Sequence, residues 1–212
     1  KTPKKVTILS SSCVYSDDIK ELINEDTPLT GEPEKANIGY GLAKRIMEEK
    51  FKLLQKEKGY TLKIIRPFNI YGERYRWVGN YSQAIPMLIN KIFQNTKNIE
   101  VWGSGKQKRT YVHAKDCANL IAKFTISKLV KNIINVGTSN PISINDLISA
   151  ITSLAKKQPK ITYNDKMPEG RFEKKCCEIL QKKIMGANWP EITIDQGLPL
   201  MLDWYKREMT ND

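Results

Sequence analysis

Two short stretches carry residue types that could move protons. Ser10-Ser11-Ser12-Cys13-Val14-Tyr15 follows the apolar run Val6-Thr7-Ile8-Leu9, which has strand character. Tyr40-Gly41-Leu42-Ala43-Lys44 opens a longer pattern. There Ala43, Met47, Phe51 and Leu54 recur at helical spacing, with Lys and Glu on the other face. Residues four apart share a helix face, so Tyr40 and Lys44 project from the same side. A hydroxyl at a strand end and a Tyr/Lys pair on the next helix make a proton-transfer set.

Oxidising a secondary alcohol calls for such a set. A base must take the hydroxyl proton while hydride leaves for an acceptor such as a nicotinamide. A free tyrosine titrates at about pH 10, too high for a good base at neutral pH. A neighbouring ammonium favours the phenolate. A serine hydroxyl bonded to the same substrate oxygen holds it in line. Tyr and Lys at this spacing are also common on solvated helices. The triple serine, the Val-Tyr after it and Arg66-Pro67-Phe68-Asn69-Ile70-Tyr71-Gly72 favour the catalytic reading.

These residues need a strand, a helix and a loop to position them, and the pattern supplies each. Lys1 to Lys5 is a basic turn before the first strand. Asp17 to Asn37 holds Pro28, Gly31 and Pro33 as breakers and reads as a loop, with one helical turn around Ile19 to Ile23. The Tyr40 helix runs to about Lys58 and stops at Gly59, and Leu62 to Ile65 is a strand ended by Arg66-Pro67. Helix, Gly and strand in that order form half of a parallel crossover unit. Gly72 to Tyr81 reads as loop and Ala84 to Phe93 as helix. Ile99 to Trp102 and Arg109 to Val112 read as strands around a Gly103-Ser104-Gly105 turn. Asp116 to Phe124 is a helix, Asn132 to Val136 a strand, and Ile144 to Leu154 a helix with Ser143 as N-cap. Lys160 to Tyr163 is an edge strand, and Lys174 to Met185 and Asp195 to Glu208 are helices.

The 212 residues, 40% of them hydrophobic, can bury a core in one or two domains. No apolar run reaches membrane-spanning length, so no membrane partner is expected. Four cysteines, two of them adjacent (Cys176 and Cys177), do not read as a disulfide framework and suit a reducing cytoplasm. The net charge of +12 and isoelectric point near 9.4 admit an anionic partner. The lysines are scattered along helices without a nucleic-acid-binding signature, so solvation is the preferred account and no nucleic acid is expected. One histidine and scattered cysteines make a metal site improbable.

Five segments, in this order, resemble an extended short-chain dehydrogenase/reductase of the NAD-dependent epimerase/dehydratase branch. They are Ser10 to Tyr15, Tyr40 to Lys44, Arg66 to Gly72, Val101 to Asp116 and Ile134 to Ile144. The resemblance covers nearly the whole chain. It implies an α/β fold: the C-terminal part of a Rossmann-like parallel sheet plus a smaller, mostly helical substrate domain. Residues 1–75 would be the remaining part of the dinucleotide-binding domain. Residues 76–212 would hold the nucleotide sugar, with the helix around 114–126 packing back on the first part. Ser11, Tyr40 and Lys44 match the family's catalytic Ser, Tyr and Lys. Tyr40, Lys44, Pro67 and Ile70 would meet NAD or NADP. Asn69, Trp102, Arg109, Arg171, Lys174 and Lys175 match or lie near positions that hold the nucleotide, its diphosphate and sugar. Arg suits phosphate because its fork bonds two oxygens. Ser10 and Ser12 would bond the backbone, and His113 would pack.

Cys13 falls where the GDP-fucose synthase and GDP-mannose 3,5-epimerase flavours carry a proton-moving Cys. A thiol whose pKa a positive site lowers suits that work; a small buried Cys is the equal alternative. The second acid/base group is missing: Gln83 stands where the first flavour has His, and Ala84 near where the second has Lys. Ser12 and Cys13 replace the acidic pair of the dehydratases. No G-x-x-G-x-x-G or G-x-G-x-x-G occurs in the chain, and that turn approaches the pyrophosphate in dinucleotide folds. The expected function is an NAD(P)-dependent nucleotide-sugar epimerase or epimerase/reductase, a homodimer in full-length form. The alternative is a non-catalytic or split-enzyme nucleotide-sugar module. The sequence leaves open whether it is a fragment or a truncation.

Overall fold

The computed structural model describes residues 2–77, 79, 83–94, 97–167 and 171–210. Its first elements are β1 (Lys5–Leu9), α1 (Ile38–Lys58), β2 (Thr61–Pro67), β3 (Asn69–Tyr71) and α2 (Ala84–Gln94). Next come β4 (Asn98–Trp102), β5 (Lys108–Arg109), β6 (Tyr111–His113), α3 (Ala114–Ile126), β7 (Ile133–Val136) and β8 (Ile142–Ser143). The last are α4 (Ile144–Ala155), β9 (Lys160–Asn164), β10 (Glu173–Lys174), α5 (Ile179–Met185) and α6 (Ile194–Thr210). Of the loop expected at 72–81, residues 72–77 and 79 are neither helix nor strand, and 78, 80 and 81 lie outside the described residues.

The architecture is α/β with parallel pairing. β2 lies between β1 and β7, parallel to both. A strand with neighbours on both edges and cover on both faces reads as a near-continuous apolar run, and Leu62, Ile64 and Ile65 are all buried. Alternate residues face opposite ways. Ile64 and Leu62 pack with Met47, Phe51 and Leu54 of α1. Ile65 packs with Leu120 and Phe124 of α3 on the other side. Lys63 shares that side: its ammonium donates to the carbonyls of Leu129 and Lys131 and sits 4.8 Å from the Phe124 ring centre. α1 stops at Gly59, which adopts φ 74° and returns its N–H to the Gln55 carbonyl.

A second core lies among α2, α4, α6 and β4, filled by Ile85, Ile89, Ile99, Leu147, Ile151 and Leu202. β4 pairs in parallel with β9, so Ile99 and Val101 point inward on the period of two. Ser143 caps α4 as expected, its hydroxyl accepting from the Asp146 N–H at 3.0 Å.

Three local expectations fail for one reason: distant backbone takes the hydrogen bonds. The helix expected from Lys174 begins only at Ile179. Lys174 pairs with Arg109 in a parallel ladder, and Cys176 bridges Ile23. The turn expected at Ile19 to Ile23 is absent, because Ile23 bonds Lys175 and Cys177 instead. The strand expected over Arg109 to Val112 is split. Arg109 pairs with β8 and β10, whereas Tyr111 to His113 pair with β3.

Candidate active site

β1 ends at Leu9, and the Ser10 N–H prolongs its pairing by donating to the Ile65 carbonyl at 2.7 Å. Ser11 is extended, and its hydroxyl accepts from the Cys13 N–H at 3.1 Å, starting a 3-10 turn over Ser12–Val14. The serine thus shapes the strand end. Ser10 was expected to bond the backbone through its hydroxyl; that hydroxyl is instead buried with no hydrogen-bond partner.

α1 brings Tyr40 and Lys44 to the same place. The helix passes so close to the turn that a Cβ on Gly41 would lie 2.6 Å from the Cys13 carbonyl oxygen and 2.6 Å from Pro33 Cβ. Only glycine permits that approach. Lys44 Nζ donates to the Leu9 carbonyl at 2.7 Å and lies 5.5 Å from the Tyr40 ring centre. Tyr40 is 51% exposed. Ser11, Cys13, Tyr40 and Lys44 therefore gather where β1 ends.

A buried network holds α1 in this register. The Arg66 guanidinium forks onto both oxygens of Glu48, and its remaining arm donates to the Tyr15 hydroxyl at 2.9 Å. Tyr15 in turn donates to Asn135 Oδ1 at 2.8 Å. Burial would lower the Arg66 pKa, but Glu48 and Tyr15 reverse that and raise it. Sequence reasoning missed Glu48. Its signal was the stripe Gly41, Lys44, Glu48, Phe51, which spacing puts on one helix face.

Beside Cys13 lies a second missed acid. The Glu34 N–H donates to the Cys13 carbonyl at 3.2 Å, its carboxylate pairs with the buried Lys174 ammonium, and Asn37 Nδ2 donates to its Oε1 at 2.9 Å. Burial would push the Glu34 carboxyl up, but Lys174, Asn37 and Arg109 outweigh it and hold it below the usual range. In a loop of Pro and Gly, nothing local marks Glu34 as half-buried and paired. Burial pushes the Cys13 thiol up and Glu34 adds to it; Lys174 and the Ser11 hydroxyl oppose this only in part. The lowered thiol pKa expected from a positive site is thus not found: burial and the nearby carboxylate outweigh the cation.

The expected phosphate-binding cations are met by internal partners. Arg109 donates to the carbonyls of Lys108 and Arg171 at 2.9 and 2.6 Å. Arg171 donates to the Glu173 carbonyl at 2.7 Å, to the Ser16 carbonyl at 3.3 Å and to the Ile19 carbonyl. Lys175 pairs with Glu173 at 2.8 Å on the surface. Asn69 Nδ2 donates to the Thr110 carbonyl at 2.9 Å. Pro67 ends β2 opposite Val136, and Ile70 packs partly buried against the α3 core. Trp102, 48% exposed, ends β4, and no described hydrogen bond or ring contact joins its side chain to the Tyr40 group. Gln83 is exposed and hydrogen-bonds Tyr75. His113 is buried and caps α3, its Nδ1 accepting from the Lys115 N–H at 3.3 Å.

Comparison with known proteins gives a consistent picture. The NAD dependent epimerase/dehydratase family model matches residues 1–137. The chain is 28% identical over 216 residues to GDP-L-colitose synthase of Yersinia pseudotuberculosis, covering 99% of this chain and 69% of that protein. It is 27% identical over 216 residues to GDP-mannose 3,5-epimerase of Arabidopsis thaliana, covering 99% of this chain and 55% of that protein. The fold resembles a GDP-L-fucose synthetase from Naegleria fowleri bound to NADP, with TM-score 0.85 and 20% identity over 98% of this chain and 67% of that one. The chain therefore spans from about half to about two thirds of the length of these relatives.

Proposed function

Because the chain belongs to the NAD dependent epimerase/dehydratase family, we propose that it is the catalytic and sugar-binding part of an NAD(P)-dependent nucleotide-sugar epimerase or epimerase/reductase. The observation that carries this is the Lys44 bond to the Leu9 carbonyl, which ties the Tyr/Lys helix to the serine strand end. In this reading Ser11 orients a sugar hydroxyl, Tyr40 takes or returns its proton, and Lys44 steadies the phenolic oxygen's charge. Residues 1–75 carry this set, and 76–212 hold most of the nucleotide sugar.

The residues present fit the nicotinamide end of NAD or NADP. The exposed Tyr40 beside Lys44 and the partnerless buried Ser10 hydroxyl at the same strand end suit a polar ligand. Tyr40, Lys44, Pro67 and Ile70 would hold that end, and a bound nicotinamide would supply hydride acceptance and return. Asn69, Trp102, Arg109, Arg171, Lys174 and Lys175 would hold the nucleotide diphosphate and sugar. A homodimer would pair through the outer face of α1, where Ile46 and Leu53 are 66% and 64% exposed.

The rival reading is a split-enzyme or non-catalytic sugar module. Calorimetry separates the two halves of the proposal. The chain is expected to bind a GDP- or UDP-sugar and to bind NAD and NADP far more weakly than micromolar. Failure to bind any nucleotide sugar overturns the function, and micromolar NAD or NADP binding overturns the half-site account.

A further inference from the structure

Glu34 lies beside three of the cations read above as diphosphate-binding, Lys174, Arg109 and Arg171. Its carboxylate contacts the Lys174 ammonium, which is only 5% exposed and also lies 5.6 Å from the Phe68 ring centre. Arg109 and Arg171 are close enough for their charges to couple to it. Those two arginines spend their hydrogen bonds on neutral carbonyls, so no direct ion pair is described for either. The carboxylates coupled to this group are Glu34 and Asp17. Among the described residues, three cations against two carboxylates leave the cluster slightly positive, and the direct ion pair described within it is Lys174 with Glu34.

A carboxylate and a phosphate offer the same thing to an ammonium: anionic oxygens that accept charged hydrogen bonds. A diphosphate brings at least two negative charges into this cluster. With Glu34 in place, the total becomes negative and like charges meet at short range, which costs binding energy where solvent screening is weak.

We infer that Glu34 is an internal counter-anion of the sugar-nucleotide site, holding Lys174 when no ligand is present and yielding it to a diphosphate. The inference rests on reading Lys174 and Arg109 as diphosphate ligands. It makes Glu34 a determinant of affinity that opposes binding, although it lies among the site's own cations. It also couples ligand arrival to the Ser11–Cys13 turn, because the Glu34 N–H bonds the Cys13 carbonyl.

The test is calorimetric binding of GDP and of UDP to the whole chain at neutral pH. Glu34→Gln is expected to tighten binding of the preferred nucleotide on the order of tenfold, the scale of one charged hydrogen bond. Lys174→Met and Arg109→Gln are expected to weaken it by a similar factor. Unchanged or weaker binding in Glu34→Gln, with loss in the two cation variants, overturns the counter-anion role and leaves the site reading standing. Unchanged binding in both cation variants overturns the site reading and the inference with it. Should Glu34→Gln fail to fold, Asn37→Ala removes only the amide that steadies Oε1. Its affinity should then rise about two- to threefold, and no rise overturns the inference.

Discussion

Arg66 grips both carboxylate oxygens of Glu48, at 2.9 Å from Nε and 2.6 Å from Nη2, with both side chains almost fully buried. The pair joins β2 to α1 eight residues beyond Tyr40, so it sets the register of the Tyr/Lys helix against the serine strand. A forked buried pair is costly to break, because the surviving charge is left without a partner. Glu48→Ala or Arg66→Ala should destabilise the chain by about 3–5 kcal/mol, and Glu48→Leu with Arg66→Met by less than either single change. Urea unfolding measures this; a double variant as unstable as the singles added together would show that the pair is not coupled.

Gly41 is the point where the helix touches the serine turn. A methyl group there would meet the Cys13 carbonyl oxygen and Pro33 Cβ at 2.6 Å, and backbone cannot yield as a flexible side chain does. Gly41→Ala should cost about 1–3 kcal/mol despite alanine's better helix propensity. A thermal melt equal to that of the parent chain would contradict the close approach.

Tyr40 tests the proposed chemistry. It is half exposed, so Tyr40→Phe should leave folding and sugar-nucleotide binding nearly unchanged. With the dinucleotide-binding half supplied, turnover should fall by about 10²–10⁴-fold, the usual worth of a positioned acid or base. Retained turnover would remove Tyr40 from the mechanism.

Cys13 can be followed by pH. Burial first, and Glu34 second, raise its thiol pKa, so the reactive thiolate is scarce at neutral pH and grows only above the ordinary range of about 8.5. Alkylation by iodoacetamide, mapped by mass spectrometry, should be slow at pH 7 and climb through alkaline pH. Glu34→Gln should shift that curve to lower pH. A neutral thiol paired with an amide at Gln83 is a poor couple for carbon epimerisation. Turnover in deuterated water should leave no deuterium at C3 or C5 of the sugar. Deuterium there would show that the chain carries out the 3,5-epimerase type of exchange after all.

Much of the scaffold was legible because it rests on neighbours in the sequence. Apolar runs and helical spacings mark β1, α1, β2, α2 and α4, Gly59 ends α1, and Ser143 caps α4. The Tyr40 and Lys44 spacing depends only on helix geometry, so their shared face follows from residue numbers alone. What the sequence left undecided is every contact whose partner is far along the chain. Lys174 meets Glu34 across 140 positions, and Arg171 reaches Ser16 across 155. Lys174 to Glu178 has the composition of a helix start, yet its backbone is taken by Arg109 and Ile23. A backbone N–H or carbonyl bonds whichever partner the assembled fold presents. A charged side chain is buried only where an opposite charge, or carbonyls as at Lys63, arrives from elsewhere. Which cations stay open to a ligand and which are already matched was therefore settled only when the loop before α1 closed against β10.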